Sequence, residues 1–281
     1  MSHNEIEFIT ADGIALLGHS WLPEGSPRAL ICVVHGLGEH GGRYDHFAAD
    51  LTAAGYAVIA PDHRGHGRSG GLRGHVDGFD TFVADLRGFI TAQQSALGAD
   101  LPLYLLGHSM GGLITIRTLQ TSDSPPLAGA IISNPLLGVA VEVPVVKAAA
   151  ARVLSKILPK LRLDNEIDSS DICRDPAVVT AYDADPLVHS KVSTRWYTSM
   201  LSALESANAQ PEAITVPTLW LLSGADQMCD TSVTRTFVAS LPEGRTATLD
   251  FPEAFHEAHN GPDKEELKQG VVGWLDGQLT G

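Results

Sequence analysis

The sequence predicts an α/β fold in which a mostly parallel β-sheet is flanked by helices. Apolar runs that suit buried strands alternate with amphipathic stretches over most of the 281 residues. Two polar, glycine-rich loops each follow such a run. A third run, from Leu103, passes into a helical pattern through Gly-His-Ser-Met-Gly at 107–111. Near-continuous apolar runs are typical of parallel strands covered on both faces, so a parallel sheet is expected.

The strand predictions follow from apolar runs bounded by turn residues. The first two runs surround the turn Ala11-Asp12-Gly13 and predict an antiparallel hairpin at one edge of the sheet. The later runs predict the buried strands of the centre. The predicted strands cover 5–10, 14–22, 29–34, 56–60, 127–133, 216–222 and 246–251, and a further strand begins at Leu103 and runs into a helix through 107–111.

The helix predictions rest on apolar residues at helical spacing and on glycines that end two of the segments. Gly55 and Gly98 each follow the last periodic residue of a helix. The predicted core helices cover 46–54, 79–97, about 110–119, 231–241 and 265–279.

The alternation of strands and helices lapses from about 135 to 208, which is too long for a connection inside a compact domain. We expect an inserted helical cap at 135–208 between two parts of one core, 1–134 and 209–281. A helix is predicted over 144–158, with an apolar stripe on one side and a basic face on the other. The apolar stripe consists of Val146, Ala149, Val153, Ile157 and Leu161, and the basic face consists of Arg152, Lys156 and Lys160. Two interpretations stay open: contact with a lipid interface or a substrate tail, or an ordinary solvated face.

Composition limits the classes of function. A net charge of −14 at pH 7 argues against nucleic acid and against general adsorption to anionic membranes. Three cysteines, Cys32, Cys173 and Cys229, form an odd and sparse set that suits a reducing compartment better than a disulfide framework. The first residues lack the features of a signal peptide, and no apolar run matches a membrane span. The expected location is cytoplasmic, with peripheral lipid contact left open, and the sequence does not predict an oligomeric state.

The motif at 107–111 predicts a nucleophile. A serine on a tight strand-to-helix turn projects its hydroxyl away from the sheet, and glycines two residues before and after it leave room for the turn. Ser109 is therefore the candidate nucleophile. A glycine-rich strand–helix connection without chemistry is the alternative.

Two further residues complete a candidate triad. Asp226 and His256 each follow a predicted strand, and functional loops of parallel sheets lie at the carboxyl ends of strands. The chain order Ser, Asp, His is that of the α/β-hydrolases. We expect His256 to act as general base and acid, and Asp226 to orient its imidazole. The oxyanion hole is expected from the backbone N–H groups of Met110 and Leu37.

Each candidate has a rival. Asp230 competes with Asp226 but is placed to begin the next helix, and His259 competes with His256 but lies farther from the strand. The remaining loop residues receive structural interpretations: hydrogen bonding in their loops for His35, His40, His63 and His66, and an ordinary free thiol for Cys229. No metal site and no cofactor are predicted, because the pair His63 and His66 lacks further ligands.

The motifs together resemble one family. His35-Gly36-Leu37-Gly38-Glu39-His40 with Arg43-Tyr44, Asp62-His63-Arg64-Gly65-His66-Gly67-Arg68-Ser69, the motif around Ser109, and Asp185-Pro186-Leu187 are similar to the monoacylglycerol lipases, especially the bacterial ones. This branch of the α/β-hydrolases also includes proteins described as lysophospholipases and serine aminopeptidase-like hydrolases. The resemblance covers nearly the whole chain.

The resemblance implies a serine esterase with a cap over an acyl tunnel and a polar pocket for glycerol. By motif position, the glycerol hydroxyls would meet Glu39, Arg43, Tyr182 and His259. One departure concerns Glu253, which stands where the family usually has glycine, three residues before His256. A turn that required a positive φ would be strained by this glutamate.

Several functions compete. Hydrolysis of monoacylglycerol is the first hypothesis, and hydrolysis of lysophospholipid or of general carboxylic esters is the second. A peptidase is less attractive, because no acidic cluster for a substrate amine is evident apart from Glu39 and the acids of the cap. Dehalogenases and epoxide hydrolases would carry Asp in place of Ser109. A non-catalytic binding protein is the alternative from another class.

Overall fold

We describe the fold from a computed structural model that covers residues 1–98, 100–123, 125–140 and 145–280, with the backbone only at 145–148. Pro144 and the side chain of Val146, which belong to the predicted cap helix, lie outside the described residues. No helix in these ranges is both long and apolar enough to cross a membrane.

Within these described ranges, ten strands form two sheets. They are β1 (Ser2–Ile9), β2 (Ala15–Leu22), β3 (Leu30–Val34), β4 (Ala57–Pro61), β5 (Leu103–His108), β6 (Gly129–Ser133), β7 (Arg162–Asp164), β8 (Lys191–Ser193), β9 (Thr218–Ser223) and β10 (Thr246–Phe251). Eight of them form the main sheet in the order β1-β2-β4-β3-β5-β6-β9-β10. Within the main sheet, only the pairs of β1 with β2 and β2 with β4 are antiparallel, which confirms a mostly parallel sheet with an antiparallel hairpin at its edge.

Eight α-helices accompany these strands in the described ranges. They are α1 (Asp45–Ala53), α2 (Asp80–Leu97), α3 (Met110–Leu119), α4 (Val145–Ile157), α5 (Pro176–Ala184), α6 (Thr194–Asn208), α7 (Thr231–Ala239) and α8 (Lys264–Thr280). The boundaries predicted for the strands and helices of the core lie within three residues of the observed ones.

The sheet is covered on both faces, and its central strands are mostly apolar and buried at every position. In β3, Leu30, Cys32 and Val34 belong to one core cluster, whereas Ile31 and Val33 belong to the other. Helices α2, α3 and α6 contribute to the first cluster, and α1 and α8 contribute to the second. Burying a leucine or valine side chain is worth about 1.5–3 kcal/mol, so two continuous clusters fix the sheet between its helices.

The segment between β6 and β9 contains α4, α5, α6 and a small antiparallel sheet of β7 and β8. The sequence pattern predicted α4 but not this small sheet, because its strands have only three residues each. Backbone hydrogen bonds join the segment to the core: the N–H of His189 donates to the carbonyl of Gly38 (2.9 Å), and that of Ser193 to Gly74 (2.8 Å). His40 Nε2 and the Asp185 carboxylate form a third connection at 2.9 Å.

The order of β4, β3 and β5 places the candidate site. Strand β4 lies on one side of β3, and β5 lies on the other side. The loops that follow β3 and β5 therefore run in opposite directions from the carboxyl ends of these two strands. Such a switch point leaves a crevice in open α/β sheets, where ligands bind. Ser109 follows β5, and the glycine-rich loop from His35 follows β3.

Candidate active site

The turn at Ser109 has the geometry that the motif predicts. Ser109 has φ 54° and ψ −119° between β5 and α3, a conformation that L-residues rarely adopt. A Cβ atom at Gly107 would meet the Thr115 hydroxyl and the Gly111 carbonyl, and one at Gly111 would meet the carbonyl of Val34. Only glycine therefore permits the turn at both positions.

Asp226 and His256 form a buried pair. His256 Nδ1 and Asp226 Oδ2 are 2.7 Å apart, and the side chains are 3% and 0% exposed. Asp226 Oδ1 accepts the backbone N–H groups of Met228 (2.8 Å) and Cys229 (3.0 Å). The carboxylate is thus held by its own loop with one oxygen directed at the imidazole.

The rival Asp230 has a different role. Its carboxylate accepts the N–H groups of Ser232 (2.8 Å) and Val233 (3.3 Å) at the beginning of α7. These bonds are those of a helix N-cap, and with the Ser232 hydroxyl they lower the pKa of Asp230.

Ser109 and His256 are not hydrogen-bonded to each other here. His256 Nε2 is buried without a partner among the described residues, and the Ser109 side chain lies beside the thiol of Cys229. Burial raises the pKa of this thiol well above its ordinary value, and the nearby Asp226 raises it further. The thiol is therefore protonated and a poor nucleophile, as expected for an ordinary free cysteine.

The loop after β3 passes directly over Ser109. A Cβ atom on Gly36 would lie 3.3 Å from Ser109 Cβ. Within the described residues, no hydrogen bond uses the N–H groups of Leu37 or Met110, the two donors expected for an oxyanion hole. The Glu39 carboxylate accepts the Gly36 N–H at 2.6 Å and fixes the shape of this loop.

Histidine side chains form hydrogen bonds with the backbone of the loops after β3 and β4. His35 Nε2 accepts the backbone N–H of His63 (2.9 Å), and His63 Nε2 lies 3.1 Å from the carbonyl of His35. His66 Nδ1 lies 3.1 Å from the carbonyl of Arg64. Burial lowers the pKa of His63 to about 4, so it is neutral at pH 7. These contacts agree with the structural interpretation of the loop histidines.

A cluster of polar side chains adjoins the candidate catalytic residues. Arg43 Nη1 donates to Glu39 Oε2 at 2.6 Å, and the Tyr182 ring lies 4.8 Å from the Arg43 guanidinium carbon. His259 stacks on Tyr44 at 5.2 Å, and the Tyr44 hydroxyl donates to Glu39 Oε1 at 3.0 Å. The structure thus brings Glu39, Arg43, Tyr182 and His259 together.

Comparison with known proteins identifies the family. The sequence profile described as "Serine aminopeptidase, S33" (Hydrolase_4) matches residues 25–263. The chain is 32% identical over 279 residues to the monoacylglycerol lipase of Mycolicibacterium smegmatis, with 99% of each chain covered.

The chain belongs to the monoacylglycerol lipase family within the Hydrolase_4 group. The monoacylglycerol lipase structure from Paleococcus ferrophilus superposes with a TM-score of 0.82 at 32% identity, covering 99% of this chain and 100% of that one. The phospholipase YtpA of Bacillus subtilis is 31% identical, covering 89% of this chain and 96% of its own. The α/β-hydrolase fold is confirmed, and the family is one of carboxylic ester hydrolases.

Two residues that form hydrogen bonds at the candidate site, Glu257 and Asn134, were not predicted from the sequence. Glu257 forms a bidentate pair with Arg43 (2.6 and 2.7 Å), and its position directly after His256 was the only signal. Asn134 has φ 41°, and its Nδ2 donates to the Ser223 hydroxyl (2.7 Å) and the His256 carbonyl (2.6 Å). It thereby ties the ends of β6, β9 and the histidine loop together.

The expected strain at Glu253 does not arise. The non-glycine residues with positive φ in the described ranges are Ser109, Asn134 and Glu166. Glu253 is exposed in the turn that leads from β10 to His256. The substitution of the usual glycine is therefore compatible with this histidine loop.

Two groups of side chains in the described part of the chain could hold a metal ion. One is Asp226, Cys229 and His256, which is the candidate active site itself. The other is His19, His40 and Asp62, whose carboxylate accepts the N–H groups of Gly41 and Arg68, both at 2.8 Å. These two hydrogen bonds give Asp62 a structural role, because they connect its side chain to the loops that contain Gly41 and Arg68.

The charges around His256 predict a pH dependence. Burial lowers its pKa, but Asp226, Glu257 and Glu39 raise it more, so the net direction is upward from 6.5. A general base must be neutral, so kcat/KM for a neutral ester should fall as the pH decreases through a value above 6.5. Initial rates at low substrate concentration, from about pH 5 to about pH 9, measure this profile. An inflection below about pH 6 would contradict the assignment.

Proposed function

We propose that the protein is a serine esterase that hydrolyses monoacylglycerol to glycerol and a free fatty acid through Ser109, His256 and Asp226. The observation that carries this proposal is the buried pair of Asp226 and His256 beside the strained turn of Ser109. Family membership supports it, because a relative covered over its full length is named a monoacylglycerol lipase.

The first half of the reaction acylates the enzyme. The Ser109 hydroxyl gives its proton to His256 Nε2, and its oxygen attacks the ester carbonyl carbon. The N–H groups of Leu37 and Met110 stabilise the resulting oxyanion. Collapse breaks the bond to glycerol, whose oxygen takes the proton from His256, and leaves the acyl group on Ser109.

The second half releases the fatty acid. Water gives a proton to His256 and attacks the acyl carbonyl, and collapse returns that proton to the Ser109 oxygen. Asp226 stabilises the imidazolium in both halves, because its Oδ2 lies 2.7 Å from Nδ1.

The polar pocket supports glycerol as the leaving alcohol. Binding hydroxyl groups inside a buried pocket requires donors and acceptors at its wall. His259 Nε2 is buried without a partner among the described residues, and burial lowers the pKa of His259 to about 3, so the ring is neutral. A neutral imidazole can either donate to or accept from a hydroxyl. We propose that His259 binds the glycerol together with Glu39, Arg43 and Tyr182.

The second candidate is a lysophospholipase or a general carboxylesterase. A relative named a phospholipase, 31% identical to this chain, supports it. A turnover panel on purified protein separates the candidates, with monoacylglycerol, diacylglycerol, triacylglycerol, lysophosphatidylcholine and a short p-nitrophenyl ester as substrates. A preference for monoacylglycerol supports the proposal. Activity confined to the short ester would reject the lipid assignment, and the absence of any Ser109-dependent turnover would favour a binding protein.

The cap is proposed to touch a lipid interface through α4 and the residues that follow it. Val153, Ile157, Leu158 and Leu163 are between 50% and 69% exposed, and Arg152, Lys156, Lys160 and Arg162 are exposed among them. An exposed apolar surface with basic residues is typical of peripheral binding to anionic lipid.

Vesicle sedimentation tests the cap surface. We expect the double variant Ile157→Ser, Leu158→Ser to lose most of its binding to vesicles that contain anionic lipid, because both side chains are more than half exposed. Ile9→Ser is the matched control, since Ile9 is equally exposed on the edge strand β1. Equal binding by wild type and double variant would reject the surface.

Domain organisation and location are proposed on the same basis. We propose that 135–208 form the cap and that 1–134 and 209–281 form one core. We further propose a cytoplasmic location, supported by three free, buried cysteines.

A further inference from the structure

Arg43 is shared between two buried carboxylates. Its Nη1 donates to Glu39 and to Glu257, both at 2.6 Å, and its Nη2 donates to Glu257 at 2.7 Å. The three side chains are only 10%, 3% and 4% exposed. Because one guanidinium faces two carboxylates, the charge of the cluster depends on the ionisation of both acids.

Both acids accept hydrogen bonds at both of their oxygens, as carboxylates do. Burial raises the pKa of Glu257, but the charge and hydrogen bonds of Arg43 lower it more, to about 2. Glu39 acts only as an acceptor, from Gly36 N–H, the Tyr44 hydroxyl and Arg43. The cluster therefore carries a net charge of about −1, the sum of two carboxylates and one guanidinium.

The lysines and arginines of the described residues provide no second counter-ion for this charge. In the described part of the chain, Arg43 is the only lysine or arginine that forms an ion pair with Glu39 or Glu257. His259 is neutral, and Tyr44 is neutral because burial raises its pKa. Solvent ions screen a buried charge much less than an exposed one, so the negative potential acts fully on a ligand in the pocket.

We propose that Glu257 is a specificity-determining residue that makes the alcohol pocket reject anionic alcohols and accept neutral or cationic ones. This inference rests on the proposed function, since it concerns the alcohol released from the same ester. Arg43 would be the natural counter-ion of a phosphate group. Its bidentate bond to Glu257 removes it from that role, which disfavours phosphate-bearing lysolipids.

The alternative role of Glu257 is purely structural. Its backbone N–H donates to the carbonyl of Ile172 (2.7 Å), and its Oε2 accepts from Asn260 Nδ2 (2.7 Å). A structural role would change the turnover of all esters by the same factor. A charge effect changes the ratio between substrates of different charge.

The test uses three dodecanoyl monoesters of similar size with different charges. The alcohols are glycerol, glycerate, in which a carboxylate replaces one hydroxymethyl group, and 3-dimethylamino-1,2-propanediol, which is cationic at pH 7. The values of kcat/KM are measured for wild type, Glu257→Gln and Glu257→Asp. Glu253→Gln is the matched control, because Glu253 is exposed in the same loop. Active-site titration with a fluorophosphonate counts the folded protein in each sample.

We expect the wild type to prefer the cationic and neutral esters over the glycerate ester. Glu257→Gln should raise the ratio of glycerate to glycerol ester about tenfold, as expected for removal of one nearby buried charge. Glu257→Asp and Glu253→Gln should keep the wild-type ratio.

Three other outcomes would each reject either the inference or the proposed function. An unchanged ratio in folded Glu257→Gln rejects the charge role while leaving the esterase intact. If this variant does not fold, the two esters are compared with the wild type alone. Equal turnover of the glycerate ester and the glycerol ester by the wild type rejects the inference. Failure of the wild type on all three esters rejects the proposed function itself.

Discussion

Ser109→Ala is expected to lower kcat for monoacylglycerol by about a millionfold, to the residual rate supplied by binding and the oxyanion hole. The variant removes the hydroxyl that we propose to form the acyl-enzyme. The side chain is small and on a turn whose geometry Gly107 and Gly111 define, so the fold should not change. Turnover is measured with the fatty acid as product, and circular dichroism and thermal unfolding verify the fold.

Cys229→Ala is the matched control for Ser109→Ala. The thiol contacts the Ser109 hydroxyl but has a raised pKa. Its removal should change kcat by less than about tenfold, since a protonated thiol is a poor nucleophile. Retention of more than about one per cent of activity by Ser109→Ala, together with a severe loss in Cys229→Ala, would move the nucleophile to the thiol.

Asp226→Asn is expected to lower kcat by about ten-thousandfold while leaving the fold intact. The amide oxygen at position 226 can still accept the N–H groups of Met228 and Cys229, which bind Asp226 Oδ1. The amide NH₂ then faces His256 Nδ1 in place of Oδ2. Because an NH₂ group donates, it selects the tautomer with the proton on Nε2, which cannot accept the proton of Ser109.

Asp230→Asn distinguishes the two acids of this loop. Asp230 caps α7, and asparagine is also a good N-cap, so both stability and turnover should stay close to the wild type. The measurements are kcat and the midpoint of thermal unfolding. A larger loss of kcat in Asp230→Asn than in Asp226→Asn would reverse the assignment.

The main sheet and the positions of Ser109, Asp226 and His256 follow from local patterns. Apolar runs define the strands, and the chain order of the candidates agrees with the strand ends at which they lie. Patterns of this kind involve residues close together in sequence, so they are visible without a structure. The same holds for Asp230, whose position before α7 correctly indicated a helix cap.

The pocket could be predicted only through the family resemblance, and Glu257 not at all. Arg43 and Glu257 are 214 positions apart, so neither local periodicity nor a motif records their contact. The same applies to Asn134, which reaches the His256 carbonyl across 122 positions. The burial of a side chain on α4 also depends on tertiary packing, and the amphipathic pattern gave no way to tell that Val153 and Ile157 are exposed.

The attachment of the cap has a consequence for the order of substrate entry. Tyr182 and Asp185 lie at the end of α5, close to the bonds from His189 to Gly38 and from Asp185 to His40. If residues 135–208 form a cap as we propose, any opening that preserves these bonds keeps Tyr182 beside Arg43 and moves only the region of α4. We therefore propose that the acyl chain enters and leaves beside α4, while Tyr182 and Arg43 keep their places through every turnover.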